Sequence, residues 1–122
     1  MKKTIALIAH NGRKNDLLSW AKVNYELLKE HNLVGTTNTS KLIKEMLDLD
    51  VSPFGHGPSG GDIILAAKIL QGEIQKIIFF IDAETPHGHE HDIQTLIRTA
   101  VINNIPIALN RASADLVIQD QD

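Results

Sequence analysis

Apolar residues along this chain alternate between two spacings. Unbroken short runs occur at Thr4-Ile5-Ala6-Leu7-Ile8-Ala9 and at Ile77-Ile78-Phe79-Phe80-Ile81, as in strands buried on both faces. Between such runs the apolar positions recur every three or four residues. Leu17, Trp20, Ala21, Asn24 and Leu28 follow that rhythm and predict one amphipathic helix over 14–30. The same reading predicts strands over 4–9, 32–35, 51–54, 76–81 and 105–109. It places helices over 40–47, 63–71, 92–103 and 113–118, with Gly72 as the residue that ends the second of these. Strands alternating with helices build βαβ units with right-handed crossovers. The expected fold class is therefore α/β: a single domain over 1–122, a doubly wound parallel sheet of about five strands with helices on both faces.

In such a sheet, ligands bind beyond the carboxyl ends of the strands. The residues that follow each predicted strand are His10-Asn11-Gly12, Thr36-Thr37-Asn38-Thr39, His56-Gly57-Pro58, Asp82 and Asn110-Arg111. Polar, titratable and glycine residues thus collect at the edge where a site is expected.

Composition narrows the function classes. At 122 residues with 43% hydrophobic and 22% charged residues, the chain has material for one real core. Its net charge of −3 and five aromatic rings argue against broad nucleic-acid or membrane binding, although six His would carry the charge to +3 if all were protonated. No apolar run approaches the ~20 residues of a membrane span. The run that follows Met1-Lys2-Lys3 ends at His10 without a small-residue cleavage site. Without cysteine there is no disulfide framework, and a cytoplasmic location is expected.

Three segments carry candidate chemistry. Thr36–40 offers hydroxyls and an amide before a helix, where backbone N–H groups welcome a phosphate; Thr39 or Ser40 would serve equally as a plain helix cap. In Gly57-Pro58-Ser59-Gly60-Gly61-Asp62 small residues let a backbone approach a ligand, and an acid follows where a helix begins. That acid suits either proton transfer or an N-cap. In Pro86-His87-Gly88-His89-Glu90-His91-Asp92 three His at alternate positions have the spacing of a zinc or copper set on an extended loop. The other reading has one His and one Asp facing a substrate carbonyl, with the remaining residues solvated. Lys14 and Arg98 add positive charge that fits a small phosphorylated ligand. Neither G-x-G-x-x-G nor G-x-x-x-x-G-K-[ST] is present, so a dinucleotide fingerprint and a P-loop are both unsupported.

Taken in order, Ile5-Ala6-Leu7-Ile8-Ala9-His10, Gly57-Pro58-Ser59-Gly60-Gly61-Asp62, Ile78-Phe79-Phe80-Ile81-Asp82, the spacing of His89 to Asp92 and Ile105-Pro106-Ile107-Ala108-Leu109-Asn110 resemble the methylglyoxal synthase family. The resemblance covers almost the whole chain. It implies a Rossmann-like homo-oligomer, usually a hexamer, that converts dihydroxyacetone phosphate into methylglyoxal and inorganic phosphate without metal or organic cofactor. Carried over by position, Asp62 is the catalytic acid/base, Asp92 assists proton transfer, and His89 polarises the carbonyl or shuttles a proton. His10, Lys14, Thr36, Thr37, Asn38, Thr39, His56 and Gly57 fall at substrate- and phosphate-binding positions, with Asp82 and Arg98 close by.

The chain departs from the family in several places. Asn11 replaces the usual Asp after the first His. The T-G-T-T-G loop is represented by Thr36-Thr37-Asn38-Thr39-Ser40 or, with a one-residue gap, by Gly35-Thr36-Thr37. His56 stands where a small serine is usual; it adds bulk, and when protonated it donates to an anion. Ile63-Ile64 follow the acid where two glutamines are common, and Ala83 replaces a proline. The chemical residues are kept while the phosphate cradle is altered. Two other classes follow from these features: a non-catalytic module sensing a small phosphorylated metabolite, like the related allosteric domain of carbamoyl phosphate synthetase, and a metal-dependent protein using His87, His89 and His91.

Overall fold

The computed structural model describes residues 2–55, 61–84 and 93–119. Five parallel strands, β1 (Thr4–Ala9), β2 (Asn32–Thr36), β3 (Val51–Gly55), β4 (Lys76–Phe80) and β5 (Ile107–Ala108), form one sheet in the order β3-β2-β1-β4-β5. This is the expected doubly wound sheet. Alternation along β1 explains its two cores. Ile5, Leu7 and Ala9 face α1 (Lys14–Val23), α2 (Tyr25–Lys29), α3 (Thr37–Leu47) and α6 (Arg111–Val117), whose Leu17, Trp20, Leu28, Ile43 and Ala114 are buried against them. Ala6 and Ile8 face the other way, with Phe54, Ile77 and Phe79, onto Leu65 and Ile69 of α4 (Gly61–Leu70) and Leu96 and Ala100 of α5 (Ile93–Ile102). The chain winds from β1 out to β3 on one face, then crosses to the other through α4. The strand order therefore reverses between β1 and β4.

Several element boundaries differ from the sequence reading, each for a local reason. The helix expected over 14–30 is two helices that part at Asn24, whose side-chain Nδ2 and backbone N–H both donate to the Trp20 carbonyl, at 2.9 and 3.1 Å. A side chain that bonds the preceding turn competes with the helix ladder. A 3-10 turn at Asn11–Arg13 leads into the first of them. Thr37, not Ser40, opens α3, because its first turn is polar and lacks the apolar period. Gly61 opens α4, two residues before the expected start, and the helix closes in a Schellman motif. There Gly72 N–H bonds the Ile69 carbonyl, Glu73 N–H bonds that of Lys68, and Gly72 takes φ of 76°. β5 is shorter than expected at two residues, and α6 starts at Arg111, where Ser113 N–H donates to the N-cap Asn110 Oδ1 at 2.9 Å.

Among the described residues no helix is long and apolar enough to cross a membrane. Trp20 Nε1 donates to Asp115 Oδ1 at 2.9 Å and ties α1 to α6.

Candidate functional site

Six described polar or charged residues are buried: His10, Thr36, Thr39, Ser40, Lys76 and Asp82. All except Lys76 lie at the carboxyl edge of the sheet. Burying a polar group is costly unless it is paired, so this concentration at one edge is a selected arrangement.

His10 and Asp82 occupy the ends of β1 and β4, the two strands between which the order reverses. Each is the first or second residue past its strand, and the parallel pairing of β1 with β4 sets them side by side. His10 N–H donates to the Phe80 carbonyl at 3.1 Å, extending the ladder by one bond. The His10 ring then turns edge-on to Phe79, with centroids 5.2 Å apart and planes at 79°. Its Nδ1 accepts the backbone N–H of Asp82 at 2.9 Å. A backbone amide can only donate, so Nδ1 is the unprotonated nitrogen and Nε2 carries the proton. The neutral ring thereby keeps a donor at Nε2. Asp82 Oδ1 accepts from Glu84 N–H at 3.1 Å, which holds the turn after β4. A methyl group on Gly12 would lie 2.5 Å from Asp82 Oδ2, so the carboxylate sits close over the turn that follows β1.

The second wall is the junction of β2 with α3. Thr36 is the extended N-cap, with φ of −65° and ψ of 159°, and makes no side-chain cap bond. The expected cap at Thr39 or Ser40 is corrected accordingly. Thr36 Oγ1 instead donates to Thr39 Oγ1 at 3.1 Å, in a buried pair that fixes the first turn. Thr37 and Asn38 lie between them, exposed, and α3 begins here with its first backbone N–H groups toward the carboxyl edge. The chain fits closely behind this turn. A Cβ on Gly35 would meet the Leu7 carbonyl at 2.7 Å and Ser40 Oγ at 3.0 Å, so β2 has no room for a side chain there.

The remaining candidates are distributed as follows. Lys14 is the first residue of α1, half-buried, and in no ion pair among the described residues. Arg98 is exposed in the middle of α5 and joins none of the hydrogen bonds above. Asp62 is the second residue of α4, which starts from the carboxyl end of β3; only its backbone is described. His56, Gly57, His89 and Asp92 lie outside the described residues, as do His87 and His91. Among the described residues no group of three His, Asp or Glu is placed to hold a metal ion.

Two features escaped the sequence reading. Arg13, Asp16, Asn110 and Arg111 line a cleft of about 320 Å³ beside Phe80, Ile81 and Leu109. A strand-end rule pointed to Asn110 and Arg111, but Arg13 and Asp16, 3.1 Å apart, gave no motif. A larger cleft of about 530 Å³ opens at the opposite, amino edge, among Lys2, Tyr25, Lys29, His31, Asp50 and Glu73. Its size does not make it the site, because its lining is mixed charge without buried polar groups.

Comparison with known proteins agrees with this placement of the fold. The MGS-like domain model matches residues 16–109. A protein named methylglyoxal synthase from Leptospira interrogans serovar copenhageni is 47% identical over 116 residues, covering 95% of this chain and 78% of that protein. One of the same name from Clostridium acetobutylicum is 45% identical over 118 residues, covering 97% of this chain and 81% of the other. The crystal structure of methylglyoxal synthase from Elizabethkingia anophelis NUHP1 superposes with a TM-score of 0.95 at 39% identity, covering 98% of this chain and 79% of that one.

Proposed function

The chain belongs to the methylglyoxal synthase family, and we propose that it is itself a lyase that forms methylglyoxal and inorganic phosphate from dihydroxyacetone phosphate. The observation that carries this reading is the gathering of buried polar side chains at the switch point between β1 and β4, with His10 and Asp82 joined at 2.9 Å. A crevice there, beside the N-terminus of α3, suits a small phosphorylated ketone better than a dinucleotide.

On this reading Asp62 takes a proton from the hydroxyl-bearing carbon next to the carbonyl and leaves an enediolate. The electron pair then expels phosphate from the other carbon, breaking the carbon–oxygen bond. The enol left behind is protonated at the carbon that carried the phosphate and gives up its hydroxyl proton, which yields methylglyoxal. Asp92 assists the proton transfers and His89 polarises the carbonyl oxygen, a task for which a neutral imidazole is suited. His10, through Nε2–H, donates to a substrate oxygen. Lys14, Thr36, Thr37, Asn38, Thr39, His56 and Gly57 receive the phosphate, with Asp82 positioning His10 and Arg98 adding positive charge. The chemistry is proton transfer and elimination, with no cofactor in any step. A homo-oligomer acting in the cytoplasm completes the reading.

The test is methylglyoxal formation from dihydroxyacetone phosphate by the purified chain, with Asp62→Asn beside it. The native chain turns over, and the variant loses about 10³-fold or more, since general acid–base groups contribute roughly 10²–10⁴. A folded native chain without turnover, binding phosphorylated metabolites all the same, would instead make it a sensing module.

A further inference from the structure

The cleft of about 320 Å³ between the starts of α1 and α6 lies apart from the crevice at the switch point. Alternation along β4 sets Phe79 on the α4–α5 side, where the His10 ring meets it edge-on, and Phe80 on the α1–α6 side. The cleft opens beside Phe80. Ile81 and Leu109 complete its apolar wall along the seam where Ile81 N–H donates to the Leu109 carbonyl at 3.3 Å. Its rim is charged. Arg13 and Asp16 pair at 3.1 Å and cancel. Arg111 is exposed and has no acid as partner among the described residues; one N–H of its guanidinium reaches Ser19 Oγ, at a long 3.4 Å. Asn110 Oδ1 is already taken by Ser113 N–H. One uncompensated guanidinium therefore stands beside a hydrocarbon wall.

We propose that this cleft binds a small aliphatic carboxylate, with its headgroup on Arg111 and its hydrocarbon body against Phe80, Ile81 and Leu109. The planar fork of a guanidinium matches a carboxylate through two parallel hydrogen bonds. Two arginines and one aspartate leave the rim a net charge of +1, which suits a monoanion. A phosphate group carries roughly −1.5 to −2 at neutral pH, offers no hydrocarbon to the wall, and meets Asp16 on the same rim. A cleft of about 320 Å³ is at the small end of ligand pockets and excludes a nucleotide. The apolar body adds the stabilisation that burial against Phe80 supplies. Neither the ligand nor the cleft is that of the phosphorylated ketone, so the proposal stands independently of the reaction assigned above.

Backbone amide shifts test it as 4-methylpentanoate is titrated into the native chain. Two controls divide the ligand: 4-methylpentanamide keeps the body without the charge, and inorganic phosphate the charge without the body. The carboxylate shifts Arg13, Ile81, Leu109 and Arg111 and saturates with a dissociation constant of about 1 mM, within reach of about eight non-hydrogen atoms. The amide binds at least about tenfold more weakly, because the charge-assisted bonds are lost, and phosphate leaves the cleft amides in place. Arg111→Gln, with an unchanged circular dichroism spectrum, weakens the carboxylate by the same factor. Arg111→Lys, which keeps the charge but not the fork, falls between the two and serves alone should Arg111→Gln fail to fold. Cleft amides unmoved up to about 50 mM carboxylate overturn the proposal. So does an amide that binds as tightly as the carboxylate, phosphate that shifts the cleft amides, or an Arg111 variant that binds like the native chain.

Discussion

The two edges of the sheet differ in what they bury. At the amino edge the larger cleft, about 530 Å³, is bordered by Lys2, Lys29, His31, Asp48, Asp50 and Glu73. Around this cleft the side-chain bonds are exposed or half-buried: His31 Nδ1 bonds the Leu27 carbonyl at 2.7 Å, Thr4 N–H donates to Gln75 Oε1 at 2.7 Å, and Lys68 and Glu73 form an ion pair at 3.8 Å. At the carboxyl edge the contacts are buried. His10 is joined to Asp82 across 72 residues, and the Thr36–Thr39 pair is buried between strand and helix. Empty volume follows from how loops pack, whereas a buried, mutually oriented polar set has to be maintained against its desolvation cost. Orientation locates the site here and volume does not.

That contrast can be broken at either edge. The largest effect is expected from His10→Asn. The amide oxygen takes the place of Nδ1 and still accepts from Asp82 N–H, while the Nε2 donor disappears. Turnover of dihydroxyacetone phosphate falls about 100-fold, in the range for a lost oriented donor, and the thermal midpoint stays close to native. An equal fall in both would make His10 a packing residue. Nitrogen-15 spectra of the native ring are expected to show a protonated Nε2 and a bare Nδ1.

Gly35→Ala acts on stability. Its methyl group meets backbone at 2.7 Å, which cannot yield as a side chain can, and denaturant unfolding is expected to show a loss of about 1–3 kcal/mol. Thr36→Val comes next. It removes the donor to Thr39 Oγ1 in a buried pair, for a cost of about 1–2 kcal/mol and a rise of several-fold in KM with kcat little changed. The smallest effect belongs to the amino edge. Lys29→Ala combined with His31→Ala leaves turnover within about twofold of native, and a larger loss would move the site to the bigger cleft.

How much of this was legible in the sequence follows from the range of each interaction. β1 occupies the predicted span because the five apolar residues in a row after Thr4 declare a buried strand without reference to anything distant. The break at Asn24 was hidden, since Asn24 falls on the apolar rhythm and only its side-chain bond to Trp20 interrupts the helix. The start of α3 was placed late because Thr37, Asn38 and Thr39 carry no apolar signal, although they are its first turn. His10, Thr36 and Asp82 could be named as candidates from their positions after strands. Their pairing could not, for it depends on β4 lying next to β1, which the order of elements along the chain does not state. The helix over 63–71 is legible as a helix, but not which of its aliphatic residues are inside; only burial separates Leu65 and Ile69 from Ile63 and Leu70.

The most direct measurement of the central claim is a map of backbone amide shifts as dihydroxyacetone phosphate is titrated into the Asp62→Asn variant, which binds without consuming it. Shifts concentrated at Asn11, Gly12, Thr37, Asn38, Thr39 and Asp82, with Lys29, His31 and Asp50 unmoved, are the expected result. Shifts centred on the amino edge would contradict the account.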